Sequence, residues 1–380
     1  MKKIFLKSLL VFTSSLIFIC CSARLENNNP IHEHARTDEL QLEKNDSIKF
    51  PLDSITTVFT TASQYNDDME TYSFLSQNNT ICSYSYKDKK LIYKVDLHKI
   101  NGGTEFLIKN NDTIYVYNGK SHSISLINYH GDIIKTFHVK SDIKSFPSPL
   151  TGVAPMLVRG DNIIISGSLY GETINDNEND RKVSYIYNIK SNKTVSTAPY
   201  SSLYYSHNWG SGLLRWVYST ESPKENVMLF SFPADHFIYE NLIGNNKLKP
   251  HYAGSKYFDK IPSYNRSKAV FFNTDEATKY FAESNSYANI LYDKYNKVYY
   301  RIAELKTKYN GMPGWKKEIS IIILNANFQI VGETLIGKVH GTNNYSLFVN
   351  KHGLHLQSNK KDENFMFFDI YKLTKKIKKR

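Results

Sequence analysis

From Ile48 onward the dominant period of the chain is two rather than 3.6, and it recurs in units. Ile114 and Val116, Ile124 and Leu126, Ile163 and Ile165, and Ile321 and Ile323 each alternate with polar neighbours. The hairpin TICSYSYKDKKLIYKVDL turns at Asp88, SISLINYHGDIIKTFHV at Gly131, VSYIYNIKSNKTVSTA at Asn192, HFIYENLIGNNKLKPHY at Asn245 and EISIIILNANFQIVGETL at Ala326. Asn, Asp, Gly and Lys at these points are turn residues. Strand pairs such as EFLIKNNDTIYVYN, APMLVRGDNIIISGS, NILYDKYNKVYYRIAEL and SLFVNKHGLHLQS precede them. A repeat of about four strands, spaced by roughly 40 to 80 residues, is the mark of a β-propeller. A last copy, FMFFDIYKL, ends before its partner strand, and the strand Ser47 to Ser54 has no unit of its own. We expect an all-β, six-bladed propeller in which 47–54 supplies the missing outer strand and hides both edges. Seven blades, if 256–274 holds strands, and a pair of β-sandwiches are the alternatives. The segment 274–284 is the best short helical candidate.

The N-terminus reads differently. Lys2, Lys3 and Lys7 precede an apolar run, Leu9 to Ile19, broken only by Thr13, Ser14 and Ser15. That run is short for a bilayer span and fits a signal peptide. Cys20 and Cys21 follow it directly, which resembles the lipobox of bacterial lipoproteins. A small residue is expected before the cut, so Cys21 is read as the lipidated new N-terminus. Buried methylenes, at roughly 0.8 kcal/mol each, make several acyl chains a stable anchor. The implied organisation is a signal peptide 1–20, a lipidated tether 21–46, a single propeller domain 47–373 and a basic tail 374–380. His32 and His34 flank Glu33 in the tether, without further ligands at metal-site spacing. The tether is not rich in Asp or Glu just after Cys21. Acidic residues there resemble the surface-export signal of some lipoproteins, so the periplasmic side of a membrane, most simply the outer one, is the expectation.

The formal net charge of +12 is concentrated at the ends. Three lysines leave with the signal, and Lys372, Lys375, Lys376, Lys378, Lys379 and Arg380 crowd the C-terminus. The body is weakly basic, which argues against nucleic acid as a partner. The tail suits anionic lipid headgroups or a solvated end. Of 3 cysteines only Cys82 remains beyond the leader and the anchor, so no disulfide pair is available and a hydrophobic core must supply stability. Its 28 Tyr and 21 Phe suit strands.

The lipobox, the strand units, the segments DTIYV and NYHGDIIKTF, and YDKYNKVYYRIAE together resemble a lipoprotein family of Bacteroides-type bacteria, the domain of unknown function 4221. The resemblance spans nearly the whole chain after Cys21. It implies a propeller-like fold and carries no activity, so no catalytic residue is transferred from it.

No zinc-protease, serine-hydrolase or phosphate-loop motif occurs, and no cofactor motif is present. The run Asn175 to Asp180 offers Asp176, Glu178 and Asp180 as oxygen ligands. It lacks the glycine and distal Glu of a calcium loop and reads as a solvated hairpin tip. Aromatic and polar residues concentrate in loops, in Tyr204 to Trp209 ahead of Arg215 and Trp216, and in Tyr309 to Trp315. Trp209, His207, Arg215, Arg301, Tyr309 and Trp315 are therefore the candidate ligand-binding residues, with Trp209 and Trp315 in glycine-containing loops the foremost. Tyr299 and Trp216, on strands, read as packing residues. Arg159 and Arg301 follow apolar strand residues and, with Arg215, are candidates to line a central channel for an anionic ligand, or to be paired structural charges.

Three functions compete. The first is a membrane-anchored binding or scaffold module for an envelope protein or glycan. The second is a hydrolase or lyase acting on glycans or lactones, with His207, Asp293 and Glu304 as nameable groups that would have to converge on one rim. The third is a sensor of an envelope ligand. A propeller assembles its sites from several blades, so the absence of a local motif does not choose between them.

Overall fold

The computed structural model describes residues 26–28, 36–53, 56, 62–100, 103–139, 146–170, 181–210, 212–264, 274–311, 315–339, 345–360 and 362–377. The leader, Cys21 and the acidic run 175–180 lie outside them. The chain is all-β and propeller-like, with four-stranded antiparallel sheets in chain order and one eight-stranded sheet. The first sheet holds Ser63–Asn66, Thr71–Leu75, Thr80–Ser85 and Leu91–Asp96. The second holds Gly103–Asn110, Thr113–Asn118, Ser123–Ile127 and Ile133–His138. The third holds Leu157–Arg159, Asn162–Ser166, Lys182–Asn188 and Lys193–Pro199. The fourth holds Tyr218–Glu221, Val227–Ser231, Phe237–Leu242 and Lys249–Tyr252.

The eight-stranded sheet begins with Ser286–Asp293, Val298–Leu305, Glu318–Asn325 and Ile330–Lys338. It continues through the N-terminal strand Arg36–Pro51 to Phe365–Lys375, Gly353–Gln357 and Leu347–Asn350. Each hairpin read from the sequence is the third and fourth strand of one of these sheets. Within 256–274 the strand among the described residues is Lys260–Pro262, which pairs with Glu26–Asn28. Thr274–Glu283 is a helix with Asp275 and Glu276 in its first turn, where the helix dipole favours acids.

Middle strands are buried on both faces: Thr113–Asn118 and Val227–Ser231 show almost no exposed position. The reason is face-to-face packing of neighbouring sheets, which replaces the one-sided burial that alternation implies. Separate apolar cores lie between neighbours. Phe50, Tyr72, Phe74, Tyr84, Phe348 and Phe368 stack between the first sheet and the second half of the eight-stranded one. Ile81, Val95, Phe106 and Ile114 fill the gap between the first and second sheets. Fourth strands face outward, with Ile134 and Val195 each 57% exposed.

The N-terminal strand begins at Arg36, ahead of the expected 47–54, so the second part of the segment read as tether is strand. It pairs antiparallel with Phe365–Lys375 from Leu40↔Lys375 to Pro51↔Phe365. Its first residues run parallel to the neighbouring strand, Arg36 opposite Ile330 and Leu40 opposite Gly332. A Cβ on Gly332 would lie 2.0 Å from the Leu40 carbonyl oxygen, so only glycine permits this approach. Arg36 and Glu333 form an ion pair of 2.9 Å beside it. Glu333 also accepts hydrogen bonds of 2.6 Å from the Ser255 and Ser320 hydroxyls.

Candidate functional site

Innermost strands of neighbouring sheets meet around an axis: Ser63–Asn66 touches Gly103–Asn110 and Leu347–Asn350, and Ser286–Asp293 touches Leu347–Asn350 and Tyr218–Glu221. A cavity of about 320 Å³ lies on that axis. Gln64, Tyr65, Leu107, Leu157, Thr220, Tyr292 and Phe348 are among the side chains that line it, drawn from each four-stranded sheet and both halves of the eight-stranded one. One end is blocked by the loop around Thr151–Val153. The Thr151 carbonyl accepts from Ser63 N (3.3 Å), the Gly152 carbonyl from Asn289 Nδ2 (3.3 Å) and the Val153 carbonyl from Ser219 N (3.0 Å). Thr151 N donates to Glu105 (2.6 Å), and the Thr151 hydroxyl donates to Phe106 O (2.8 Å). Gly152 adopts φ +86°, and a Cβ there would lie 2.9 Å from the Ser63 carbonyl oxygen. The plug is thus tied to the first, second and fourth sheets and the first half of the eight-stranded one. Burial pushes the Glu105 carboxyl up to about 8, against the opposing Thr151 hydrogen bonds.

The other end opens. In an antiparallel sheet the first–second and third–fourth turns lie at the same end. Asp67, Lys224, Lys294 and Tyr295, all from first–second turns, surround a mouth of about 630 Å³. It shares Thr220, Glu221, Tyr292 and Val349 with the axial cavity. Its charges are held lightly. Arg159 pairs with Glu221 and Lys294 with Asp67, and the Tyr295 hydroxyl donates to Asp67. Lys224 reaches Glu240 at 2.7 Å. Burial, then Asp67, raises the Tyr295 phenol well above its usual range. Among the described residues no histidine or cysteine lines the cavity or its mouth. Among the described residues no cluster of three or more His, Cys, Asp or Glu is placed to hold a metal. A ligand here meets tyrosine faces, the three carboxylates of Asp67, Glu221 and Glu225 and three cationic side chains in a pocket closed at its far end.

Arg159 is the one arginine of the expected set that reaches this mouth. Arg301 does not line the channel. It is fully buried, and its guanidinium donates to Ser231 Oγ and to the carbonyls of Phe232, Asp235, His236, Phe237 and Ala253 at 2.7–3.4 Å. It stacks 3.7 Å over the Tyr287 ring, and burial lowers it to about 10. Arg215 is also buried, in the turn Gly212–Arg215. Trp209, expected in an exposed loop, is 1% exposed and packs on Tyr204, with its indole N–H donating to Leu203 O at 3.3 Å. The loop's aromatic residues turn inward because Tyr204 itself is bonded into the core through Leu214 O and Ala234 N.

His207 lies half-buried against Trp209. Half-buried Trp315 sits between Phe281 and Tyr309. The first group belongs to the connection from the third sheet to the fourth, and the second, with Tyr309, to the turn between Val298–Leu305 and Glu318–Asn325 of the eight-stranded sheet; both lie at the end opposite the mouth. Asp293 accepts from Tyr300 OH (2.9 Å) in the first half of the eight-stranded sheet. Glu304, at the other end of the same hairpin, accepts from Ser286 (2.5 Å) and Tyr345 (2.6 Å) and lies 3.6 Å from Lys317. His207, Asp293 and Glu304 do not converge. Asp67, Glu221, Lys294 and Tyr295 were missed by sequence reasoning. They lie at the ends of inner strands of different sheets, and turn position within the repeat was the only available signal.

The family model described as "Domain of unknown function (DUF4221)" matches residues 39–335. A crystal structure of a member of that family from Bacteroides vulgatus superposes with a TM-score of 0.75 at 19% identity, covering 90% of this chain and 100% of that one. A putative exported protein from Bacteroides fragilis gives 0.47 at 12% identity, covering 90% and 98%. A luciferin-regenerating enzyme gives 0.43 at 10% identity, covering 87% and 95%. The last two are too distant to bear on function. No curated protein matches the chain.

Proposed function

As the chain belongs to the DUF4221 family, whose propeller-like fold leaves function open, we propose that it is a lipid-anchored binding module of the cell envelope, taking a glycan through its axial pocket. The observation that carries this reading is the blind cavity with one mouth, lined by Tyr65, Tyr292 and Tyr295 beside Asp67, Glu221, Arg159 and Lys294. Tyrosine faces cover the apolar faces of sugar rings, and paired charges supply donors and acceptors for hydroxyls. The anchor rests on the lipobox-like run to Cys21, and the periplasmic side of the outer membrane on the absence of an acidic stretch after it. A protein partner docking on the rim is the competing occupant.

We read the architecture as six blades. What supports this is the eight-stranded order, which divides into two four-stranded halves at the parallel contact of Arg36–Leu40 with Ile330–Gly332. The N-terminal strand is then the outer strand of the last blade.

Thermal-shift titration with oligosaccharides released from the envelope of the source bacterium tests the pocket. A glycan that raises the melting temperature of the native protein, but not of an Asp67→Ala, Tyr295→Ala variant, supports it. If the shift is unchanged in the variant, the ligand lies elsewhere and this reading fails.

A further inference from the structure

The axial cavity and its mouth differ in chemistry. We infer that the cavity takes an aliphatic chain, so that the ligand is an amphiphile, a sugar carrying an acyl or alkyl group, with the sugar held at the mouth. The inference rests on the axial pocket proposed above and names what the ligand carries besides its sugar. Leu107, Leu157, Leu291 and Val349 are partly buried around the cavity. They come from the innermost strands of the second sheet, the third, and the two halves of the eight-stranded one. Buried Met156 and Ile290 complete this aliphatic wall.

The polar groups of the cavity are engaged by the protein itself. The Gln64 amide donates to Ile108 O at 2.9 Å and accepts from Ile108 N at 2.8 Å. The Thr151 hydroxyl donates to Phe106 O at 2.8 Å and accepts from Phe106 N at 3.1 Å. The Ser63 hydroxyl shares a hydrogen bond of 3.2 Å with Ser346, and the Gly152 carbonyl serves Asn289. The Ser219 hydroxyl is itself shielded. Tyr65 stacks on Phe348 with centroids 5.1 Å apart. The other polar side chains, Thr220, Glu221 and Tyr292, are those the cavity shares with the mouth. A sugar hydroxyl pushed inward would lose its water and find few partners, whereas each methylene that enters gains by leaving water. Asp67, Arg159, Glu221 and Lys294 stay available to hydroxyls at the mouth. The plug at Thr151–Val153 closes the far end, so a chain enters end-first and its useful length is capped.

The test is titration calorimetry of the native protein with methyl, butyl, hexyl and octyl β-glucosides, each below its micelle concentration. Each methylene that enters the cavity is expected to tighten Kd by about fourfold. A negative heat-capacity change of binding should grow along the series until the chain meets the plug and the gain stops. Leu157→Phe, which keeps the wall apolar and narrows the cavity, should stop the gain at a shorter chain. Equal Kd values across the series, or no binding by any member, overturn the inference. A chain-length profile identical in the native protein and in a Leu157→Phe variant of native melting places the chain elsewhere and overturns it too. The slope along the series is independent of which sugar the mouth prefers, so the two readings fail separately. A polar oligosaccharide that stabilises the native protein, with the glucosides all alike, removes the chain and leaves the glycan. A steep slope with no stabilising oligosaccharide removes the glycan and leaves the chain.

Discussion

In the first half of the eight-stranded sheet Arg301, Glu304 and Lys317 are wholly buried, whereas at the mouth Asp67, Arg159, Glu221 and Lys294 keep much of their side chains in solvent. The buried charges are saturated by protein. Arg301 is wrapped by carbonyls, and Lys317 donates to Ser284 O and Ser286 Oγ at 2.8 Å, beside Glu304 and over the Phe281 ring. Burial lowers Lys317 to about 8 even so. The mouth charges have one or two side-chain partners each, across turns of different sheets. Taking a charge out of water costs several kcal/mol unless its partners are complete, so the first set fixes how sheets meet. An exposed pair is worth about 0–1 kcal/mol, so the second set is free to exchange partners with a ligand.

The largest effect expected from breaking this contrast is at the closure. Deleting 36–51 removes the strand shared by both halves of the eight-stranded sheet and exposes Phe368 and Ile370. The truncated chain is predicted not to fold cooperatively, and calorimetry checks this. A melting temperature equal to that of the full chain would remove the strand from the architecture.

Next comes Arg301→Met, which keeps much of the volume but removes the guanidinium donors to the carbonyls of Phe232, Asp235, His236 and Ala253, of which Phe232 and His236 keep a backbone N–H partner. A loss of about 3 kcal/mol or more in denaturant titration is predicted, since an unsatisfied buried set bears the full desolvation cost.

Glu105 tests the plug through pH. Its folded carboxyl, at about 8, lies above the ordinary 4.5. Between those values the folded state keeps a proton that the unfolded chain has released. Stability is therefore fully present below the unfolded value and declines as pH rises toward the folded one. Unfolding midpoints measured at about pH 5 and about pH 8 should converge in Glu105→Gln, where nothing titrates; the native slope persisting in the variant would place it on other groups.

The smallest stability effect belongs to the mouth. Asp67→Ala with Lys294→Ala is predicted to change stability by less than about 0.5 kcal/mol. A larger loss would move these residues into the structural class.

Much of the architecture was legible because it is local. The turns at Asp88, Gly131, Asn192, Asn245 and Ala326 follow from residue type, and the strands beside them from period two. The first strands Ser63–Asn66 and Tyr218–Glu221 were not, because they are short, polar and face the axis. The N-terminal strand was read only from Ser47, since Arg36 to Asp46 carries few apolar residues and is held by pairing and by Glu333. Trp209 and Arg301 were misplaced for one reason. A loop glycine or a strand arginine tells what a residue is near in sequence, and burial was decided by Tyr204 in one case and by fourth-sheet carbonyls in the other. The mouth left no sequence signal because Asp67, Glu221 and Tyr295 meet only once the ring of sheets has formed.

The two ends of the molecule can be set against each other directly. Benzoylphenylalanine replaces Tyr295 at the mouth in one strain and Trp315 at the opposite end in another, and whole cells are irradiated. The account predicts a specific glycan adduct from position 295 and none from 315. An adduct from 315 alone would contradict it and return the binding surface to the aromatic loops.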